Sequence, residues 1–396
     1  GDGTTLGSAV PVAVTGGFTF ASINAGNGFT CGLTTDGSAY CWGDNKHGQL
    51  GNGTTAAAHT PAALSSGIKF AGIAVGGGHA CGWASSNVAY CWGANSYGQA
   101  GVSTDSQASL TGQSSDILLP QMIQVGLLFS SISAGGAHTC GIAGTGTAYC
   151  WGANQSGQLG PLFSGSWSAS PVQISSSVDF VSVGAGSGHS CGITANGNAV
   201  CWGDNFWGSL GDGSTISSRL LTSVQGSGFT QLRAGWAHTC ASRADATLWC
   251  WGKNDAGQVG NGTMTVSPSP VKVPTIASVT SFAAGEAHTC AIASEGRAYC
   301  WGYANVGQVG DGLDSVRPTP VKVSGTTSFT SLSAGGWHTC GRTSTGVTQC
   351  WGWNAKGQIG DGTTIDRAAP VTVGTVGSTT QFAKVSGGLY HTCALT

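Results

Sequence analysis

Histidine, cysteine and tryptophan recur along this 396-residue chain at one fixed spacing. The block A-G-x-x-H-x-C, nine residues, then C-W-G-x-N-x-x-G-Q pairs Cys31 with Cys41, Cys81 with Cys91, Cys140 with Cys150, Cys191 with Cys201, Cys240 with Cys250, Cys290 with Cys300 and Cys340 with Cys350. Two chemistries suit such a pattern. One is a disulfide within each pair, and the other is zinc binding by thiolate and imidazole. Structural zinc sites bring cysteines in tight C-x2-4-C pairs, whereas these partners stand ten positions apart, so the spacing favours disulfides.

The histidines carry a different message. His79, His138, His189, His238, His288, His338 and His391 hold one repeated position, which Phe29 takes in the first copy. A catalytic group is normally unique, so a copied and replaceable histidine reads as structural, bonding neighbouring backbone where a strand begins. His47, His59, Glu286 and Glu295 stand outside the repeat, with no nucleophile motif or carboxylate pair beside them. The Asp-Gly pairs at Asp2, Asp212, Asp311 and Asp361 offer one carboxylate per loop, too few for a calcium cage, and read as turns. There is no G-x-x-x-x-G-K-[ST] sequence. No catalytic, cofactor-binding or metal-binding residue is therefore expected.

The elements that position these residues follow from the period. First cysteines of successive copies lie 49 to 59 residues apart, and an eighth copy beginning at Phe382 stops after Cys393. A period near 50 residues, made of short apolar alternations and rich in glycine, predicts four short antiparallel strands per copy and hence an all-β propeller. A helical solenoid is disfavoured by the 68 glycines. Between the second and third strands stand Gly37, Asn87, Gly146, Gly197, Ala246, Gly296 and Gly346; all but Ala246 suit the positive φ of a hairpin turn. Such a hairpin sets the two cysteines of a pair opposite one another, with Cα atoms about 4.5–5.5 Å apart, within disulfide range. One disulfide per blade is expected, each stabilising by somewhat under about 3 kcal/mol for a loop of roughly ten residues.

The chain divides as one repeat domain, 1–396, with copies at 20–69, 70–128, 129–179, 180–228, 229–278, 279–328 and 329–381, a partial copy at 382–396 and a partial copy at 1–19. Seven blades are expected, with eight as the alternative count. Copy two carries an insertion from Gly101 to Pro120, and copy three a loop from Pro161 to Ser170 that holds Trp167. Residues 11–14 (PVAV) match a fourth strand. Both ends interrupt the repeat, and no cysteine stands ten residues after Cys393, so the sequence reads as a segment of a longer protein that leaves Cys393 unpaired.

Composition limits compartment and partners. Seven regular cysteine pairs point to an oxidising compartment, secreted or cell-surface. N-x-S/T sequons at Asn52, Asn154 and Asn261 agree, marking a glycoprotein of the secretory route. The sequence has no signal peptide and no apolar run of about 18 residues, so membrane insertion is not expected. With 14 Lys+Arg against 16 Asp+Glu there is no basic stripe for nucleic acid. Charged residues make up 8%, far below the roughly 25% of ordinary domains. A surface that poor in charge suggests covering by glycans or by an assembly.

Ala334, Gly335, His338, Trp351, Gly352, Asn354, Gly357, Gln358 and Gly360, with their equivalents in the other copies, carry a resemblance to the regulator of chromosome condensation-like repeat propellers. The likeness runs over essentially the whole chain and implies their fold. Nuclear members are nucleotide exchange factors on chromatin; other branches resemble secreted β-lactamase-inhibitor propellers and crinkly-type receptor ectodomains. The paired cysteines depart from the nuclear branch and place the chain nearer the extracellular ones.

What remains for function is a surface. Loops joining first to second and third to fourth strands share one rim. Tyr97, Phe206, Trp207, Trp236, Tyr303, Trp337, Trp353 and Tyr390 fall there, aromatics of the kind that anchor interfaces or stack on sugars. The repeated Trp42, Trp92, Trp151, Trp202, Trp251, Trp301 and Trp351 read instead as blade packing. The sequence thus predicts a non-enzymatic extracellular structural and protein-interaction propeller, with protein partners or copies of itself in an assembly. The alternatives are a secreted proteinaceous enzyme inhibitor or a carbohydrate-binding module.

Overall fold

The computed structural model describes residues 1–103, 115–374 and 381–396. The core of the insertion expected between Gly101 and Pro120 lies outside these residues. The fold is an all-β propeller of seven four-stranded blades, with strands paired in chain order within each. The blades span residues 20–63, 70–122, 129–173, 180–223, 229–272, 279–322 and 331–372. A two-stranded sheet follows, Lys384–Gly387 paired with Thr392–Leu395.

The described residues form two compact units. Unit one comprises Gly1–Thr4, Val14–Phe206 and Thr215–Ser227, and so contains blades 1–4. Unit two comprises Thr5–Ala13, Trp207–Ser214 and Gly228–Thr396, and holds blades 5–7 with the two-stranded sheet.

Each blade is stabilised the same way, and the reason lies in the third strand. In A-Y-C-W-G of Ala298–Gly302 the alternating Ala298 and Cys300 are buried while Tyr299 is half-buried. Trp301 then turns fully into the interior, because the ladder to the fourth strand shifts register between Cys300 and Gly302. Gly302 makes that bulge possible: its φ is 107°, and a Cβ there would lie 2.6 Å from the carbonyl of Ala287. Six of the seven C-W-G indoles are completely buried, and Trp42 is 5% exposed. Truncating such an indole to alanine costs about 3–5 kcal/mol.

All seven predicted cysteine pairs are bonded, each across the hairpin of its own blade. Cys31 is bonded to Cys41, Cys81 to Cys91, Cys140 to Cys150 and Cys191 to Cys201 in unit one. In unit two Cys240 is bonded to Cys250, Cys290 to Cys300 and Cys340 to Cys350. The expected separation needs correction in every pair. The Cα atoms of Cys81 and Cys91, of Cys140 and Cys150, of Cys191 and Cys201, and of Cys240 and Cys250 are 4.1 Å apart, as are those of the other three pairs. This is closer than the hairpin estimate because each pair occupies the near-spaced kind of antiparallel position. Cys393 stands outside these seven bonds.

Two further expectations need correction. Ala246 does not depart from the hairpin: its φ is 60°, the same left-handed state as Gly37 and Asn87, so the turn imposes its geometry on a residue that disfavours it. Residues 11–14 form no ladder strand. Ser8 and Ala9 nonetheless lie against Gly357 as Arg367 and Ala368 lie against Gly307, so this segment takes a fourth strand's place.

Candidate functional site

In five copies the repeated histidine bonds a side-chain hydroxyl where backbone was expected. Its Nε2 reaches the hydroxyl that follows the histidine in the next blade: His79 to Thr139 at 2.7 Å, His138 to Ser190 at 2.9 Å, His238 to Thr289 at 3.0 Å, His288 to Thr339 at 2.8 Å and His338 to Thr392 at 2.8 Å. Each hydroxyl in turn donates to a backbone carbonyl of the preceding blade, as Thr339 does to Gln308 and Thr289 to Gln258. The same carbonyls accept the indole N–H of Trp351 and Trp301. One histidine, one hydroxyl, one glutamine carbonyl and one tryptophan thus fasten blade to blade at Thr289 and Thr339, and at Thr392 the same histidine, hydroxyl and carbonyl recur.

That arrangement fixes the tautomer. A threonine hydroxyl has one proton and gives it to the carbonyl, so the imidazole must donate from Nε2 and is neutral. Its Nδ1 is buried without a partner in His79, His138, His288 and His338. Burial holds the rings well below the ordinary histidine range: His288 and His138 to about 3, His79, His189 and His338 to about 4, with neighbouring histidines adding to the effect at His138, His288 and His338. With Nε2 committed to a hydroxyl, the rings make a structural column and not a ligand set.

The other sequence candidates scatter. His47 Nδ1 is 2.8 Å from Asp116 at the surface, and His59 and Glu295 are exposed. The Asp-Gly carboxylates close turns: Asp361 accepts the backbone N–H and hydroxyl of Thr363 and pairs with Arg367, and Asp311 pairs with Arg317. Asn52 and Asn261 hold the same turn position, each accepting from the threonine two residues on. Asn154 is different. It is the asparagine of C-W-G-x-N, 6% exposed, with Nδ2 donating to the Gly165 carbonyl and Oδ1 accepting from Leu159.

In unit two the loops bring six of the named aromatics into three groups. Tyr303 and Trp337 meet edge to face, ring centres 5.4 Å apart, and Trp353 and Tyr390 do the same at 5.6 Å. Lys253 lies over two indoles, 5.2 Å from the ring centre of Trp207 and 4.9 Å from that of Trp236. Glu286 faces this lysine; partial burial raises its carboxyl above the usual range and Lys253 opposes that rise. Trp236 is 48% exposed and Tyr390 50%, so both groups keep an open aromatic surface. Tyr97 and Phe206, in unit one, are exposed as well.

Lys253 escaped the sequence reading. It occupies the residue after C-W-G, the column that holds Tyr303 and Trp353, and is the only cation there. Cation–π contact of this kind contributes about 0.5–1 kcal/mol at an exposed site, and here one lysine lies over two indoles.

A disulfide-bonded, seven-bladed β-propeller with an aromatic loop surface is the class these features define. The chain belongs to the RCC1-like domain family, whose model matches residues 10–341; regulator of chromosome condensation (RCC1) repeat models match 350–395 and 329–358. Among curated relatives, the mitochondrial RCC1 domain-containing protein RUG3 of Arabidopsis thaliana is 30% identical over 97 residues, 24% of this chain and 22% of that protein. Mouse E3 ubiquitin-protein ligase HERC2 is 34% identical over 131 residues, 28% of this chain and 2% of that protein. The matched stretches span less than a quarter of these relatives. Human WBSCR16 superposes with a TM-score of 0.71 at 20% identity, covering 91% of this chain and 99% of that one. Prp20p of Saccharomyces cerevisiae does so at 0.70 and 22%, covering 91% and 92%. These structures share the fold.

Proposed function

We propose that this chain is a non-enzymatic, secreted or cell-surface propeller that binds proteins, or further copies of itself, through the aromatic loop surface of unit two. The observation that carries the reading is the grouping of Trp207 and Trp236 on Lys253, together with the pairs Tyr303–Trp337 and Trp353–Tyr390 in the same unit. Pre-positioned, half-exposed aromatics lose little side-chain entropy on binding and are the residues that dominate interface energetics. Yeast RCC1 (Prp20), which shares this fold, is bound by Kap60.

Seven disulfides support an oxidising compartment. Asn52 and Asn261 fit as glycan acceptors, since each uses its Oδ1 to close a turn at the surface and leaves Nδ2 out of that turn. The absence of a catalytic role rests on the histidines: the side chains best suited to proton transfer are buried, neutral and spent on blade-to-blade bonds. The test is a variant carrying Trp236→Ala, Trp337→Ala and Trp353→Ala. It should keep its thermal transition within a few degrees and lose retention of native partners on an affinity column, whereas unchanged retention contradicts the proposal.

A sugar ligand is the second reading, favoured by the half-exposed indole of Trp236 with Lys253 and Glu286 beside it. Glycan-array binding abolished by Trp207→Ala and Trp236→Ala would select it.

A further inference from the structure

In blades 5–7 the charges are divided between the two ends of the strands. Antiparallel order puts the second-to-third hairpins and the fourth-to-first connections at one end, opposite the aromatic loops. Hydrogen bonds join these segments from blade to blade: the N–H of Val279 donates to the Ala246 carbonyl at 2.8 Å and that of Phe329 to the Gly296 carbonyl at 2.7 Å. At this turn end stand Arg243, Lys272, Arg297, Lys322 and Arg342, against Asp245 and Glu295. The rest of the same three blades holds five cations and six carboxylates. The turn end is therefore positive and the remainder is not. Along the chain the five cations lie 20–29 residues apart and form no basic run; only the fold gathers them.

Their partners differ as well. Among the described residues none of the five takes part in an ion pair, whereas elsewhere in these blades Lys253 pairs with Asp255, Arg317 with Asp311 and Arg367 with Asp361. Arg243 lies 3.9 Å from the ring centre of Trp249 and 4.8 Å from that of Phe229, and its Nε is buried without a partner. Lys272 is exposed and stands opposite Trp249 in the ladder, as exposed Lys322 stands opposite Tyr299. Arg297 donates to the Gly325 carbonyl at 3.2 Å and Arg342 to that of Phe382, so backbone holds both guanidinium groups at the turns. The Asp245 carboxyl is held below its usual range first by the Thr247 hydroxyl, with Lys272 and Arg243 adding to the effect. It stays charged and offsets part of the positive charge of blade 5.

We infer that this end of unit two is a binding surface for an acidic polysaccharide, a chain bearing carboxylate or sulfate groups, laid across the turns of blades 5–7. Cations recurring from blade to blade suit a ligand whose charges also repeat, in preference to a single ion. Guanidinium groups match carboxylate and sulfate oxygens through paired N–H donors. The half-buried rings of Trp249 and Tyr299, set in the ladder opposite Lys272 and Lys322, add stacking surface for sugar rings. A polysaccharide, in preference to a nucleic acid, follows from the proposed extracellular compartment. The surface is separate from the aromatic loops and does not depend on them.

The test measures binding of the full chain to immobilised polygalacturonate, which carries carboxylates, and to heparin, which carries sulfates, at several salt concentrations. Saturable binding to one or both is expected, weakening as salt rises. Lys272→Ala with Arg297→Ala and Lys322→Ala should lower the affinity about tenfold. Lys46→Ala with Arg219→Ala and Lys356→Ala removes the same charge from exposed positions elsewhere and should leave it nearly unchanged. Both variants should keep the thermal transition of the parent; if Arg297→Ala disturbs its turn, Lys272→Ala with Lys322→Ala alone should still weaken binding severalfold. No saturable binding to either polysaccharide, equal loss in both triple variants, or displacement by duplex DNA or poly-glutamate as readily as by the free polysaccharide overturns the inference. Binding lost in Trp207→Ala with Trp236→Ala, and kept in the turn-end variant, would overturn it too and leave the aromatic loop reading standing.

Discussion

The imidazole Nε2 of His288 lies 2.8 Å from the hydroxyl of Thr339 in the following blade, and both groups are completely buried. A local sequence repeat is thereby converted into a bond between repeats. The proton arrangement has a thermodynamic consequence, because the native state holds these rings neutral.

Acid should therefore unfold the protein in a defined window. An unfolded histidine titrates near 6.5, whereas folded His288 and His138 titrate at about 3 and His79, His189 and His338 at about 4. Below pH 6.5 the unfolded chain binds more protons than the native one, so stability falls as pH drops from 6.5 towards 4–3 and is flat above. Urea unfolding at pH 7.5, 6.0, 5.0 and 4.0 should show successive losses of several kcal/mol in total across the five rings. Constant stability over that range would mean that the rings are charged or hydrated in the native state.

Thr339→Val removes the shared hydroxyl while keeping the shape. It leaves the His288 N–H without its acceptor and takes one of two donors from the Gln308 carbonyl. The expected cost is about 1–3 kcal/mol, measured by denaturant unfolding against Thr330→Val, whose hydroxyl bonds a carbonyl at an exposed edge. Equal effects of the two substitutions would remove the special status given to this hub.

Ala246→Gly should stabilise. Alanine holds φ 60° there, a left-handed conformation that costs a residue with a Cβ roughly 1–2 kcal/mol and glycine little. A gain of roughly 0.5–1 kcal/mol is expected after allowing for the greater freedom of glycine in the unfolded chain. A loss in the same assay would show that the methyl group contributes more by packing than the turn costs.

If the proposed secretory route holds, glycopeptide mass spectrometry of the native protein should find sugar at Asn52 and Asn261 and none at Asn154. The difference rests on Nδ2, the atom a glycan occupies, which in Asn154 donates to the Gly165 carbonyl inside a loop. Occupancy at Asn154 would require that loop to be rebuilt.

The architecture is legible in the chain because its determinants are local. Cysteine pairs ten apart, a turn residue between them and an indole after each second cysteine act within one hairpin, so their spacing translates directly into a blade. The histidine's partner is not legible: Thr139 stands 60 residues from His79, and only the stacking of one blade on the next brings them together. Ala246 runs against its residue preference because hairpin closure outweighs the cost at a single position. The sequon at Asn154 is a different case, since its alignment with Asn45, Asn254 and Asn354 already marks it as the buried asparagine of the repeat. For the loop aromatics, the residues can be named from the sequence, but the lysine that gathers Trp207 and Trp236 emerges only from their packing.

On the proposed reading, the aromatic loops of unit two are where this propeller meets its partners. Photo-crosslinking tests it most directly, with a benzophenone amino acid placed at Trp236 or Trp353 and, as controls, at the exposed Val125 and Ile216, in the medium or surface extract of the native source. Discrete adducts are expected from positions 236 and 353 and none from 125 and 216. Adducts from the control positions alone, or from all four equally, would contradict it.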